Sequence, residues 1–283
     1  MRRRTALLLT ANAVAVGAFL AVGGWDTVQL YTGIGLPERS GPPMGLIAHR
    51  GDLDRYPENT IEGIRAAAEL PVEGIEFDVA ISADGTWWVI HDPSLDRTTN
   101  ASGLLEDLGD DEIEAAVIDG GIGFDPERHR GMRVPRLEAV LSALGSYEGT
   151  VYVDVQHAPT GEVDGIIALL DGHDAAILCR DLTDSRRVKE LDAAVRTYIR
   201  VEDGPADDSV DGWLMEAFFE ADVAVVRESE LPIITFVDQW RAGESETPAL
   251  RRAWAAGVAA FITKQPAEAL AAREALSPTG ELR

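Results

Sequence analysis

The chain has 283 residues, enough for one large α/β domain or two small ones, and 46% of them are hydrophobic, which excludes wholesale disorder and allows a sizeable core. Its 25 basic and 49 acidic residues give a formal charge of -24, so the average field repels nucleic acid and anionic lipid surfaces, and an anionic substrate needs a local exception such as a bound divalent cation. The single cysteine, Cys179, excludes an internal disulfide.

The chain begins with Arg2, Arg3 and Arg4, followed by an almost continuous apolar run from Ala6 to Gly24. Its length approaches the roughly 20 residues that span a bilayer. The basic start predicts a cytoplasmic N-terminus with the rest of the chain outside. Residues 1–24 are therefore read as a signal peptide or a transmembrane anchor in the form of a hydrophobic helix. No clear Ala-x-Ala site follows and no cysteine is available for lipid attachment, which favours the anchor; the twin arginines fit a Tat-type signal. Residues 25–43, rich in Gly, Pro and polar side chains, read as a linker, and the folded domain is expected over 44–283.

Short apolar, β-branched-rich runs recur at Met44 to Ala48, Val72 to Ala80, Trp87 to Ile90, Val151 to Val155, Ala175 to Leu178, Ala194 to Ile199, Val223 to Val226, Ile233 to Val237 and Val258 to Ile262. Helical segments separate several of them, which predicts a parallel sheet with crossover helices. Thr60 to Leu70 is predicted helical, with Ile61, Ile64 and Ala67 or Ala68 on one face behind an Asn59 cap. Arg136 to Leu144 aligns Leu137, Val140, Leu141 and Leu144 with Pro135 at the first helical position, and Pro266 opens a final alanine-rich helix. Nine candidate strands in about 240 residues fit an eight-stranded (β/α) barrel, with one strand surplus. The link from Asp78 to Trp87 is too short for a crossover helix, so the barrel is irregular there and Asp84-Gly85 makes a bare turn. Residues from about 93 to 133, with a helical piece near Asp110 to Val117, read as an insertion after the third strand and beside the site.

Barrel enzymes carry reacting groups at the C-terminal ends of their strands. By that rule His49, Glu76, Asp78, His91 and Asp154 face one cavity. Glu76 and Asp78 are two apart on a strand and point to the same side, where two hard oxygen ligands suit calcium or magnesium. The competing reading is a buried ion network with Arg50. Phosphodiester cleavage needs charge neutralisation, an activated nucleophile and a proton for the leaving oxygen. A metal and Arg50 meet the first need, and two histidines can act as base and acid. His129, His157 and His173 lie in polar segments and read as surface residues, His157 being a weaker site candidate because it follows Asp154 closely.

Ile47-Ala48-His49-Arg50-Gly51, Pro57-Glu58-Asn59-Thr60, Glu76-Phe77-Asp78-Val79, Asp84-Gly85 and His91-Asp92-Pro93-Ser94-Leu95-Asp96-Arg97-Thr98-Thr99 together resemble the glycerophosphodiester phosphodiesterase family. Val134 to Leu141 also matches its pattern, and the resemblance extends more weakly to Pro266. It implies an irregular TIM barrel with a small insertion, one divalent cation (Ca2+ or Mg2+) and hydrolysis of glycerophosphodiesters to sn-glycerol 3-phosphate and an alcohol. It further implies His49 and His91 as the acid and base pair, Arg50 as a phosphate contact, and Glu76 and Asp78 as metal ligands.

The second half departs from the family. Asp154-Val155-Gln156 stands where the family has Glu-x-Lys; Asp154 can still ligate a metal, but Gln156 cannot supply a lysine charge to the substrate phosphate. Thr263-Lys264-Gln265-Pro266 stands where the family has Thr-Asp before Pro, and Lys264 is expected to restore the missing cation from another strand. Thr235-Phe236-Val237-Asp238 corresponds loosely to the family's Trp-Thr-Val-Asn. The expectation is an exported, metal-dependent enzyme acting on a small glycerophosphodiester. The alternatives are a related phosphodiesterase or phospholipase with another headgroup or lipid specificity, and a catalytically silent barrel that binds a phosphorylated ligand.

Overall fold

The structure, a computed structural model, describes residues 43–155, 157, 162–200, 207–215, 231–236 and 245–276. The expected export segment and the candidate strand Val223 to Val226 lie outside the described residues. Among the described residues no helix is long and apolar enough to cross a membrane.

Eight parallel strands close into a TIM barrel: β1 (Gly45–His49), β2 (Gly74–Ile81), β4 (Thr150–Asp154), β5 (Ala175–Cys179), β6 (Arg196–Arg200), β7 (Gly212–Met215), β8 (Ile233–Phe236) and β9 (Ala260–Thr263). The ring closes because β1 pairs with both β2 and β9. Helices α1 (Ile61–Ala68), α3 (Leu137–Leu144), α4 (Asp164–Leu169), α5 (Leu182–Leu191) and α6 (Thr247–Ala256) lie in the described crossovers, and α7 (Pro266–Ala275) follows β9. Their apolar faces pack on outward-facing strand residues such as Ile75, Phe77, Val153 and Phe261 in the largest core cluster. The inward residues form a second layer that includes Ile47, Tyr152, Leu178, Tyr198, Ile234 and Ile262. This is the period-two alternation of a strand buried on both faces.

Seven of the nine candidates are barrel strands, Val223 to Val226 is outside the described residues, and β3 (Trp87–Val89) stands apart from the ring. It pairs antiparallel with the end of β2, Ile81 opposite Trp87, and so folds back beside the barrel instead of entering it. Its turn spans Ser82 to Thr86, with Gly85 at φ +82°. β7 was not among the sequence candidates, because Gly-Trp-Leu-Met is short and has no β-branched residue. After β3 the chain builds a lobe with a small core of its own, in which Trp88, Leu95, Leu105 and Ile113 are buried. Within it α2 spans Asp110–Ala115.

Two helix starts differ from the sequence expectation. Thr60, not Asn59, caps α1, its hydroxyl accepting from Gly63 N. α3 begins at Leu137 behind an Arg136 cap, so Pro135 precedes the helix, whereas Pro266 does open α7. His129 is buried rather than on the surface: Nδ1 accepts from Asp125 N, and Nε2 lies 2.9 Å from the carbonyl of Arg55. It ties the inserted lobe to the loop after β1.

Candidate active site

The C-terminal ends of β1 and β4, the middle of β2 and the residues just after β3 converge on a cavity of about 350 Å³ lined by His49, Arg50, Glu76, Asp78, His91 and Asp154. Strand register explains the convergence. His49 lies opposite Glu76 across β1 and β2, and Asp78 lies opposite Asp154 across β2 and β4. Of the residues singled out from sequence, Lys264 also lines the cavity, one position past β9, while Gln156 lies outside the described residues.

The loop after β1 is tightly constrained. Arg50 and Asn59 both hold left-handed backbone, at φ 57° and 58°. Non-glycine residues seldom adopt that region, and such strain persists where surrounding contacts over-determine it. Here Arg50 N donates to the Glu76 carbonyl at 2.8 Å and to its carboxylate at 3.1 Å, while Asn59 N donates to the Arg50 carbonyl at 3.0 Å. Between them Gly51, at φ +96°, lies so close to α1 that a Cβ would sit 2.6 Å from the Gly63 carbonyl carbon. The Asn59 side chain then holds Asp78, donating to its carboxylate at 2.8 Å and accepting from its backbone N–H at 3.3 Å.

Glu76, Asp78 and Asp154 are all buried, and each offers an oxygen within 4.8 Å of the others. Burial and then the neighbouring charge of Asp78 push the Glu76 carboxyl well above its usual range, with Arg50 opposing them and Asp154 adding to the rise. Three carboxylates crowded in a low-dielectric site are costly as anions, and a cation removes that cost. The donor set is hard oxygen only, which suits calcium or magnesium rather than a softer metal. The residues present therefore fit a divalent ion.

The two histidines sit in contrasting surroundings. His49 is buried, stacks on Phe236 at 5.7 Å, and its Nε2 lies 3.7 Å from Glu76 Oε2. Its Nδ1 has no hydrogen-bond partner among the described residues. Burial first, then the charges of Arg50, Lys264 and His91, hold its pKa well below 6.5, so the ring is neutral near pH 7. His91 is more exposed. Its Nδ1 lies 2.6 Å from Asp92 Oδ1, and its ring meets that of His157 edge to face at 5.8 Å. Burial raises the Asp92 carboxyl, but hydrogen bonds from Arg97 and His91 outweigh it and hold the group at about 2. An ionised Asp92 can only accept a hydrogen bond, which favours the tautomer with the proton on Nδ1 and leaves Nε2 of His91 as the other edge.

Sequence reasoning did not anticipate the charge network joining these parts. Arg97 donates to Asp92 at 2.7 and 3.0 Å and to Glu58 at 2.5 and 3.2 Å. Glu58 also accepts from Arg50 Nη1 at 2.7 Å and from Ile122 N at 2.7 Å. Arg50 Nε lies 2.9 Å from Asp78 Oδ2, although not aligned as a hydrogen bond. Of the competing reading, in which Glu76 and Asp78 pair with Arg50, the Asp78 pair is present, and the network runs on through Glu58 and Arg97 to the pair His91 and Asp92. Arg200 was also missed. It ends β6, lines the cavity, and its Nη2 lies 3.4 Å from Asp154 Oδ2. Its signal was the alternation that puts Tyr198 and Arg200 on one strand face.

Comparison with known proteins places this site in context. A family model described as the glycerophosphoryl diester phosphodiesterase family matches residues 49–168. A glycerophosphodiester phosphodiesterase of Caldanaerobacter subterraneus is 41% identical over 111 residues, 39% of this chain and 44% of that protein. One from Bacillus subtilis is 34% identical over 136 residues, 45% of each chain. The chain thus spans under half the length of these curated relatives. Among solved structures, the glycerophosphodiester phosphodiesterase of Agrobacterium tumefaciens aligns with TM-score 0.64 and 24% identity, covering 81% of this chain and 99% of that one. A phosphodiesterase of Oleispira antarctica, in complex with the product sn-glycerol-3-phosphate, aligns with TM-score 0.66 and 19% identity, covering 82% and 97%. These structural likenesses establish the shared barrel.

Proposed function

We propose that this chain, whose residues 49–168 match the glycerophosphoryl diester phosphodiesterase family model, hydrolyses glycerophosphodiesters to sn-glycerol 3-phosphate and an alcohol in a reaction that depends on one Ca2+ or Mg2+ ion. The observation that carries the reading is the meeting of His49 and His91 with the carboxylates of Glu76, Asp78 and Asp154 around one cavity. Glu76, Asp78 and Asp154 would hold the cation, which supplies positive charge to the substrate phosphate when bound.

The neutral ring of His49 can accept a proton, and its position against Glu76 puts that basic nitrogen beside the cradle. His91, with Asp92 on Nδ1, presents Nε2 as the proton donor to the departing alkoxide. Asp92 stabilises the imidazolium before the transfer, and Arg97 keeps Asp92 ionised. In this reading Arg50, Lys264 and Gln156 contact the phosphate, with Lys264 supplying charge that Gln156 does not. Phe236 packs on one face of His49 and limits water there.

The remaining parts of the proposal concern delivery. Residues 1–24 export the chain and tether it or are removed, residues 25–43 link, and the barrel over 44–283, with its insertion at about 93–133, works outside the cytoplasm. Mass determination of the mature N-terminus distinguishes tether from cleaved signal.

The direct test is release of sn-glycerol 3-phosphate from several glycerophosphodiesters in the presence of magnesium or calcium. Release is expected to stop on adding chelator and in His49→Ala. Identification of the products separates this specificity from that of a phospholipase-like enzyme. Tight binding of phosphorylated ligand without turnover of any diester overturns the reading in favour of a silent barrel.

A further inference from the structure

Three carboxylates line the cavity and exceed the charge of a divalent cation by one, so a cradle loaded with such an ion still repels a phosphodiester anion. Arg50 offsets this only in part, because its guanidinium is already engaged with Glu58 and Asp78. Asp154 ends β4, and the next two residues in the sequence, Val155 and Gln156, carry no charge. Besides Arg50, the cations that line the cavity among the described residues are Lys264, just after β9 beside β1, and Arg200, across the barrel.

On that side, Arg200 belongs to the inward-facing series of β6. Tyr198 lies in the inner layer level with Leu178, and Leu178 is level with Asp154, so Arg200 stands one inward step higher on the rim. Its side chain is 14% exposed and crosses the intervening strand β5 to bring Nη2 within 3.4 Å of Asp154 Oδ2. It thus meets the cation cradle on the flank opposite Arg50, with the planar fork that matches phosphate oxygens.

We infer that Arg200, held against Asp154 at the end of β6, is the substrate-phosphate contact that takes the place of the charge absent at position 156, acting with Lys264. The inference rests on the proposed phosphodiesterase reading and goes beyond it by naming the residue. Arg200 has opposite effects on the two ligands of the site. It opposes cation binding, because its charge lies beside a cradle carboxylate, and it favours the phosphate anion. A purely structural arginine that keeps Asp154 in place would favour both.

Titration calorimetry on the full chain separates these cases: magnesium into metal-stripped protein, then inorganic phosphate and, separately, sn-glycerol 3-phosphate into magnesium-loaded protein. In Arg200→Gln the dissociation constant for both phosphate ligands is expected to rise by about tenfold to a hundredfold, from loss of a charge-assisted contact. Magnesium is expected to bind about threefold tighter or better, because a like charge has been removed beside its ligand. Arg200→Lys keeps the charge but loses the fork. It should weaken phosphate by about threefold to tenfold with magnesium binding unchanged, and it carries the test if the glutamine variant does not fold.

Joint weakening of magnesium and phosphate, or phosphate affinity equal to wild type in both variants, overturns the role of Arg200 alone. A wild-type chain that binds neither magnesium nor phosphate overturns the functional reading together with it.

Discussion

Around the barrel mouth, β1, β2 and β4 carry groups bonded to one another and to the inserted lobe, whereas the described residues of the β5 to β9 side that line the cavity are apolar apart from Arg200 and Lys264. On the first side Arg50, Glu58, Arg97 and Asp92 form one chain of ion pairs from the cation cradle to His91. On the second, Leu178, Phe236 and Ile262 face the cavity, and Phe236 packs on His49. The family-matched stretch covers the first side and little of the second. The ionisable groups are thus mutually constrained on one flank, while the other flank lines the cavity mainly with apolar side chains. The barrel permits this division because each strand end is supported by its own neighbours.

The largest expected effect comes from emptying the cradle. Glu76→Ala combined with Asp78→Ala should reduce diester hydrolysis to background and abolish magnesium binding in calorimetry, because one carboxylate does not make a site. Hydrolysis that persists in this variant would locate the chemistry elsewhere on the rim. His49→Ala should follow with a loss of about 10²–10⁴-fold in kcat, with magnesium affinity close to wild type, since the ring acts on the proton and not on the ion. If its loss appears in KM alone, His49 binds substrate and does not move a proton.

Much of this division was legible in the chain. His49, Glu76, Asp78, His91 and Asp154 stand out because ionisable residues at the ends of apolar runs are costly to bury unless they are paired or hold an ion. The barrel itself followed from alternating strand and helix signals. What escaped depended on three-dimensional pairing. Glu58 and Arg97 are ordinary surface-type residues until the lobe folds over and buries Glu58 between two arginines. Asn59 has the composition of a helix cap and sits one residue before one, so its grip on Asp78 is visible only in the left-handed backbone. His129 looked like a surface residue because its neighbours are polar, yet both ring nitrogens serve backbone groups. Gly-Trp-Leu-Met of β7 fell below any reasonable strand threshold and is held by its two parallel neighbours.

The link between the flank's chemistry and the lobe can be weakened without touching either histidine. Arg97→Met leaves Glu58 buried with only Arg50 as its ionic partner and removes both ties to Asp92. Arg97 is 39% exposed on its side chain, so solvent screens part of the loss, and we expect about 1–2 kcal/mol of destabilisation rather than the full cost of orphaning a buried charge. Activity should fall about tenfold, in kcat more than in KM, because His91 loses its brace but the substrate keeps its contacts. Chemical denaturation and steady-state kinetics read the two effects separately, and a stability loss with unchanged kcat would leave the network a purely structural tie.

The smallest effect is also the most specific to one group. Asp92 has a folded-state value of about 2 against an ordinary 3.8, so the folded protein favours its ionised form more than the unfolded chain does. A depressed carboxyl contributes stability that is fully present above the unfolded value and disappears as pH falls through the folded one. The contribution of Asp92 should therefore be intact above about pH 4 and lost between there and about pH 2. Other carboxylates titrate in the same range, so the informative quantity is the difference between wild type and Asp92→Asn. Asparagine keeps the size and one acceptor oxygen but cannot carry the charge that Arg97 and His91 satisfy. The urea midpoint of the variant should lie below wild type at about pH 5, and the two curves should approach each other as the pH drops towards 2. A gap that stays constant over this range means that the carboxylate's charge is not what braces His91 and that shape alone holds the ring.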